Sequence, residues 1–192
     1  MKRSLLIILI FCSCSGGGGT PNYANVARSY ENGTGTYERV IIGDSFVYYN
    51  PFWQQIYHEP LDALGIPGDT TYGVLDRLQT VVDRNPSIVT LWIGYNNLAI
   101  GWTAKETAAE IQDIVTNLNE QGIEVEIISV LFTGDGQYKD QIAELNDLIK
   151  AMPIKYIDLN AKLAPNGYLL RQYWDSPDDC VHINDLGYMQ LI

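Results

Sequence analysis

The sequence predicts an α/β protein: a parallel sheet with helices on both faces. Two patterns carry the prediction. Short continuous apolar runs, of the kind strands buried on both sides require, recur along the chain. Between them lie amphipathic stretches at helical period, and the two kinds alternate about five times, an order that closes into a parallel sheet. A third observation agrees with these: the triplets able to carry chemistry fall just after apolar runs, where open α/β sheets place their ligands.

Taken in order, the β-branched run Arg39 to Ile42 ends at Gly43 and predicts the first strand. Asp62 to Ile66 is a weaker second, Ile88 to Ile93 a third ending at Gly94, Val125 to Leu131 a fourth, and the short Tyr156 to Leu159 a fifth. Thr71 to Val82 sets Val74, Leu75, Leu78 and Val82 on one helical face. Thr103 and Glu106 form a capping-box pair opening a helix that closes before Gly122, with Ile111, Ile114, Val115 and Leu118 as its buried stripe. Gln141 to Met152 carries Ile142, Leu145, Leu148 and Ile149, and Pro153 stops it. No internal repeat is evident.

The 192 residues fit one domain, with an ordinary globular composition of 46% hydrophobic and 18% charged residues. The formal charge is −11. That balance repels phosphate backbones and argues against nucleic acid as a partner. Lys2 and Arg3 followed by the apolar Leu5 to Phe11 read as a signal peptide over residues 1–13, too short to span a bilayer. Phe11-Cys12-Ser13-Cys14 resembles the lipobox of bacterial lipoproteins, which makes Cys14 the expected site of diacylation. Residues 14–37, opening on the tract Ser15 to Gly19, read as a flexible linker, and residues 38–192 as the domain. The expectation is an exported bacterial lipoprotein, anchored to a membrane in the periplasm or at the cell surface and touching it only through lipid. With Cys14 modified, Cys180 is the one free thiol left, so no disulfide framework supports the fold.

Four segments hold the chemistry. Gly43-Asp44-Ser45 follows the first predicted strand and precedes a helix. Alone its plain reading is a turn with a helix N-cap, but a Ser45 hydroxyl at a helix start has backbone N–H groups close by. Asp179-Cys180-Val181-His182 is expected in a loop after the last strand and its helix, where Asp179 can reach the His182 imidazole, fix its tautomer and stabilise its charged form. His58, beside Glu59 and Pro60, has no matching nucleophile and reads as structural or exposed. Gly68 to Thr71 combines a turn and a helix cap with a Gly68 N–H suited to an oxyanion donor. Asn96 in Gly94-Tyr95-Asn96-Asn97 is either a turn residue or a further donor.

In combination and in this order, the segments resemble the SGNH hydrolases, or GDSL-like lipase/acylhydrolase family, which includes platelet-activating-factor acetylhydrolase-like and lysophospholipase-like esterases. Ile41 to Ser45 is similar to the family's first block, Gly65 to Thr71 to its second, Trp92 to Asn97 to its third, and Asp179 to His182 with Asn184, Leu186, Gly187 and Tyr188 to its last. Phe46 stands where Leu is common, and Asn97 where Asp is usual. The resemblance implies a flavodoxin-like three-layer α/β/α fold with a five-stranded parallel sheet. It also implies Ser45 as nucleophile, His182 as general base, Asp179 as its orienting carboxylate, and an oxyanion hole from the Ser45 and Gly68 N–H groups and the Asn96 amide. It implies neither metal nor organic cofactor.

The expected substrate is a carboxylic ester with a short acyl or acetyl group, borne by a small molecule or a glycan. Phe46, Tyr48, Tyr49, Phe52, Trp53, Tyr95 and Trp102 cluster near the expected mouth and either pack beneath loops or form a sugar-stacking rim. An acyltransferase with the same acyl-enzyme, and a silent binding lipoprotein on the same fold, are the alternatives.

Overall fold

A computed structural model describes residues 37–192. The signal peptide, the lipidation site Cys14 and all but the last linker residue lie outside the described residues.

Five parallel strands form the central sheet: β1 (Arg39–Gly43), β2 (Leu61–Gly65), β3 (Ile88–Trp92), β4 (Glu124–Ile128) and β5 (Lys155–Ile157), in spatial order β2-β1-β3-β4-β5. The order reverses between β1 and β3, and both strands release their chains at the same end of the sheet, Gly43 lying opposite Trp92. A crevice opens at such a switch point. Alternation splits the buried side chains between two layers. Val40, Ile42, Leu64, Val89, Leu91, Val125 and Ile127 pack with α3 (Thr71–Asp76), α4 (Leu78–Val82), α6 (Ala104–Glu120) and α7 (Lys139–Lys150). On the opposite face, Ile41, Trp92 and Ile128 pack with α1 (Ser45–Tyr49), α2 (Trp53–Tyr57), α8 (Asn160–Leu163) and α9 (Asp185–Tyr188). A further short helix, α5 (Tyr95–Ala99), follows β3. The three-layer architecture and five-stranded parallel sheet are those expected.

The Thr103/Glu106 capping box forms in both directions, and α6 ends at Glu120, with Gln121 as its C-cap before Gly122, as anticipated. Three elements differ from expectation. The helix predicted over 71–82 is two helices, broken at Arg77 (φ −109°, ψ 14°), whose side chain turns onto the ends of β1 and β2. The fourth strand stops at Ile128, although the apolar run continues to Leu131. Beyond it Val130 bonds to side-chain amides, its N–H donating to Asn146 and its carbonyl accepting from Asn146 and Asn160, so buried residues continue without a ladder. Asp179–Ile183 is not a loop but a strand, β7, paired antiparallel with β6 (Trp174–Ser176) around Pro177 and Asp178. No helix among the described residues is long and apolar enough to cross a membrane.

Candidate active site

Ser45 is the first residue of α1, directly after β1, and is nearly buried. Asp44 caps this helix, accepting the Phe46 N–H at 3.0 Å. The β6–β7 hairpin brings His182 to the serine: the distance from Nε2 to Ser45 Oγ is 2.9 Å. On the other side of the ring, Nδ1 lies 2.8 Å from Asp179 Oδ2. The second Asp179 oxygen accepts the N–H groups of Val181 (3.0 Å) and His182 (2.9 Å). The carboxylate is therefore fixed by the backbone of the residue it orients. A carboxylate only accepts, so Nδ1 carries the proton and Nε2 is left to accept the serine O–H.

The ring is held by aromatics. Phe46 tilts against it at 5.5 Å between centroids, and Tyr49 presents an edge at 5.6 Å. Phe46 also stacks on Trp92 at 5.1 Å. The position after Gly-Asp-Ser thus packs both the sheet and the histidine. Of the aromatics expected at the mouth, Phe46 and Trp53 are buried; Tyr49, Phe52, Tyr95 and Trp102 are half-buried, and Tyr48 is exposed. Five of the seven, Phe46, Tyr49, Phe52, Trp53 and Tyr95, pack in the core cluster on this face of the sheet. His58 is an exposed residue ending α2.

Gly68 sits in the turn after β2 with φ +78°, a left-handed conformation that favours glycine. Among the described residues neither its N–H nor that of Ser45 has a hydrogen-bond acceptor. Asn96, at the start of α5, aims its amide between these two segments. Nδ2 donates to the Asp69 carbonyl at 2.9 Å and, at a long 3.4 Å, toward Asp44 Oδ2. Asn97 is wholly buried and bonds Thr71 through both amide atoms, accepting its N–H at 3.1 Å and donating to its hydroxyl at 2.6 Å. The Thr71 hydroxyl in turn donates to Glu110. An aspartate at 97 has no proton for this relay, so asparagine suits the glutamate found here.

The charges at the site are unequal. Burial pushes the Asp44 carboxyl up to about 7, against the Phe46 N–H and the charge of His182, which lower it; Asp69 adds to the rise. Burial also raises Asp179, but the hydrogen bond and charge of His182 outweigh it and hold the carboxyl at about 2. Burial disfavours the His182 imidazolium, yet the bond and charge of Asp179, with Asp44 and Asp175, leave its pKa above the ordinary value. The negative charge of Asp44 and the positive charge of His182 each favour the ionised form of the other. Reasoning from sequence overlooked the depth of Asp44, and also Asp175 and Arg77. The Gly-Asp-Ser motif marks Asp44, but nothing local signals its burial. Among the described residues no group of three or more His, Cys, Asp or Glu side chains is arranged to hold a metal ion.

A hydroxyl, an imidazole and a carboxylate in line, beside two unengaged N–H groups, can accept an acyl group and stabilise the oxyanion formed on the way. The sequence model of the GDSL-like Lipase/Acylhydrolase family matches residues 41–190. A solved GDSL-like lipase from Bacteroides thetaiotaomicron superposes with a TM-score of 0.66 at 24% identity, over 80% of this chain and 83% of that one. A solved acylhydrolase from Bacteroides fragilis gives 0.71 at 22% identity, over 90% and 94%. An acetyl xylan esterase structure gives 0.62 at 21%, over 78% and 93%. No curated protein matches the chain at a significant level.

Proposed function

Since the chain belongs to the GDSL-like lipase/acylhydrolase family and is thereby an ester-cleaving hydrolase, we propose that it hydrolyses short acyl esters, acetyl groups on carbohydrate foremost, through an acyl-enzyme on Ser45. The observation that carries this reading is the continuous chain Asp179–His182–Ser45, with contacts of 2.8 and 2.9 Å. His182 Nε2 takes the hydroxyl proton as Ser45 Oγ attacks the ester carbonyl. The Ser45 and Gly68 N–H groups and the Asn96 amide receive the oxyanion; for Asn96 this means releasing the long contact to Asp44 rather than the shorter one to Asp69. The tetrahedral intermediate collapses with loss of the alcohol, which takes the proton from the imidazolium. Water then attacks the acyl-enzyme and gives a proton to His182, which passes it to the departing Ser45 Oγ as the acid is released.

The acetyl-carbohydrate assignment is supported by the acetyl xylan esterase among the similar structures and by an aromatic path to the site. Exposed Tyr48 meets Tyr49 edge-on at 5.1 Å, and Tyr49 in turn meets His182. Such rings stack on the apolar faces of sugars. Export, with Cys14 as lipid anchor, belongs to the same proposal and rests on the N-terminal sequence. Incorporation of labelled fatty acid that is abolished by Cys14→Ala tests it.

The first measurement is hydrolysis of p-nitrophenyl acetate by the protein and by Ser45→Ala. The expected loss is about 10⁴-fold or more, with circular dichroism unchanged and a serine-directed phosphonate labelling only the unsubstituted protein. Equal rates in the two folded proteins overturn the nucleophile, and a preference for long acyl chains overturns the acetyl assignment.

A further inference from the structure

The residue that interrupts the predicted helix over 71–82 does something no turn requires. Arg77 is largely buried, its side chain 16% exposed, and its guanidinium donates to three separate segments. Nε and Nη2 both reach Asp69 Oδ2, at 3.0 and 2.8 Å. Nη1 donates to the Leu64 carbonyl at 3.0 Å, and Nη2 also to the Gly43 carbonyl at 3.0 Å. Gly43 ends β1 two residues before Ser45. Leu64 lies near the end of β2, from which the chain runs into the Gly68 turn. Asp69 follows Gly68 directly, and its carbonyl is the acceptor that aims the Asn96 amide.

From these contacts the geometry points to Arg77 as the positioning residue of the oxyanion hole, holding the Ser45, Gly68 and Asn96 donors in one register. The inference rests on the assignment of those donors under the proposed function. Arg77 touches no substrate; it acts through the backbone on either side. The carboxylate it grips has little freedom of its own. Asp69 Oδ1 accepts the Thr70 N–H at 3.0 Å and lies against Gly73 of α3, where a Cβ would approach it to 1.8 Å. Glycine at 73 thus lets the loop seat on the helix while Arg77 ties it to the sheet. Only a planar fork with several donors reaches all three acceptors; a lysine ammonium is a single point and cannot. A buried ion pair is a poor source of net stability. Its effect here is geometric, and geometry is what an oxyanion hole needs, since misplacement by about 1 Å costs roughly a hundredfold in rate.

The test is steady-state hydrolysis of p-nitrophenyl acetate by Arg77→Ala, Arg77→Lys and Ser45→Ala, with thermal melts of each. Arg77→Ala is expected to lose about a hundredfold in kcat with KM held within about threefold. Phosphonylation of Ser45 is expected to slow in parallel, because it too places negative charge in the hole. Millimolar methylguanidinium is expected to restore part of kcat in Arg77→Ala and to do nothing for Ser45→Ala. Where the alanine variant does not fold, Arg77→Lys carries the test, with kcat at least about tenfold down at unchanged KM and melting temperature. Wild-type kcat in either folded variant overturns the inference, as does a loss that appears only in KM or only as unfolded protein without response to methylguanidinium. An active Ser45→Ala instead overturns the nucleophile assignment, whatever the Arg77 variants do.

Discussion

Among the described residues, two groups of buried charge are built on opposite plans. One crosses the middle of the sheet. Arg39 of β1 donates to Thr90 of β3 at 2.8 Å and to Glu126 of β4 at 2.5 Å, and it also pairs with Glu59. Thr90 donates onward to Glu126 at 2.8 Å, as do Tyr57 at 3.0 Å and Lys155 of β5 at 2.7 Å. The Arg39 guanidinium lies over the Tyr57 ring, 4.0 Å from its centroid. Two cations thus meet two carboxylates. Burial pushes Glu126 upward, but the bonds from Lys155 and Thr90 and the charge of Arg39 win and leave it below its ordinary value. The other group lies at the C-terminal ends of the strands, where Asp44, Asp69 and Asp179 face Arg77 and His182. There Asp44 has one good donor and one long one, and burial wins. Exclusion of water is common to the Glu126 and Asp44 carboxyls. Between these two, the bonds and cations gathered on Glu126 decide which carboxyl stays charged and which keeps a proton near neutrality.

The sharpest way to break this contrast is at Asp179. In Asp179→Asn the side-chain oxygen can still accept the Val181 and His182 N–H groups, so the hairpin is expected to survive. Its amide, however, presents a donor to Nδ1 and selects the wrong tautomer. The expected loss in kcat is about 10⁴-fold with unchanged circular dichroism. Retention of most activity would show that Asp179 holds the hairpin and does not orient the base.

Glu126→Ala is the counterpart in the stripe. It leaves Arg39 buried with one carboxylate partner fewer, which is expected to cost about 3–5 kcal/mol in denaturant unfolding. Activity per folded molecule, and its dependence on pH, should not change. A large fall in kcat at full folding would mean that the stripe is coupled to the site and that the two plans are not separate.

What the sequence made legible follows the same division. Local patterns were sufficient for the existence of the five strands of the central sheet, for the capping box of α6, and for the Ser45, Asp179 and His182 set that the fold brings together, because each depends on periodicity or on a motif a few residues long. The misses arise where a side chain answers to distant backbone. Arg77 breaks a helix that its neighbours' periodicity would continue, since its partners at Gly43 and Leu64 lie 34 and 13 residues away. Asn146 and Asn160 end β4 by replacing its ladder, although the apolar run goes on. The hairpin carrying His182 announces itself only weakly, through Ser176-Pro177-Asp178 between two short segments. The stripe gave no sign at all, as Arg39, Thr90 and Glu126 are 51 and 36 residues apart.

The smallest expected effect separates charge from contact at the site. Asp175, half-buried in β6, raises the His182 pKa together with Asp179 and Asp44, and its contribution comes last among the three. The base must be neutral to act, so a raised imidazole pKa places the acidic limb of kcat/KM above the value of a free histidine. Removing one anion from its surroundings weakens the imidazolium. In Asp175→Asn the limb is therefore expected to move to lower pH, with the plateau rate at higher pH unchanged. Because Asp175 is partly exposed, the difference between the two proteins should shrink as salt is added. The same profile in Glu126→Ala should coincide with that of the unsubstituted protein. A limb that moves upward in Asp175→Asn, or a plateau that falls, would mean that Asp175 acts through a specific contact and that the negative field is not what sets the base.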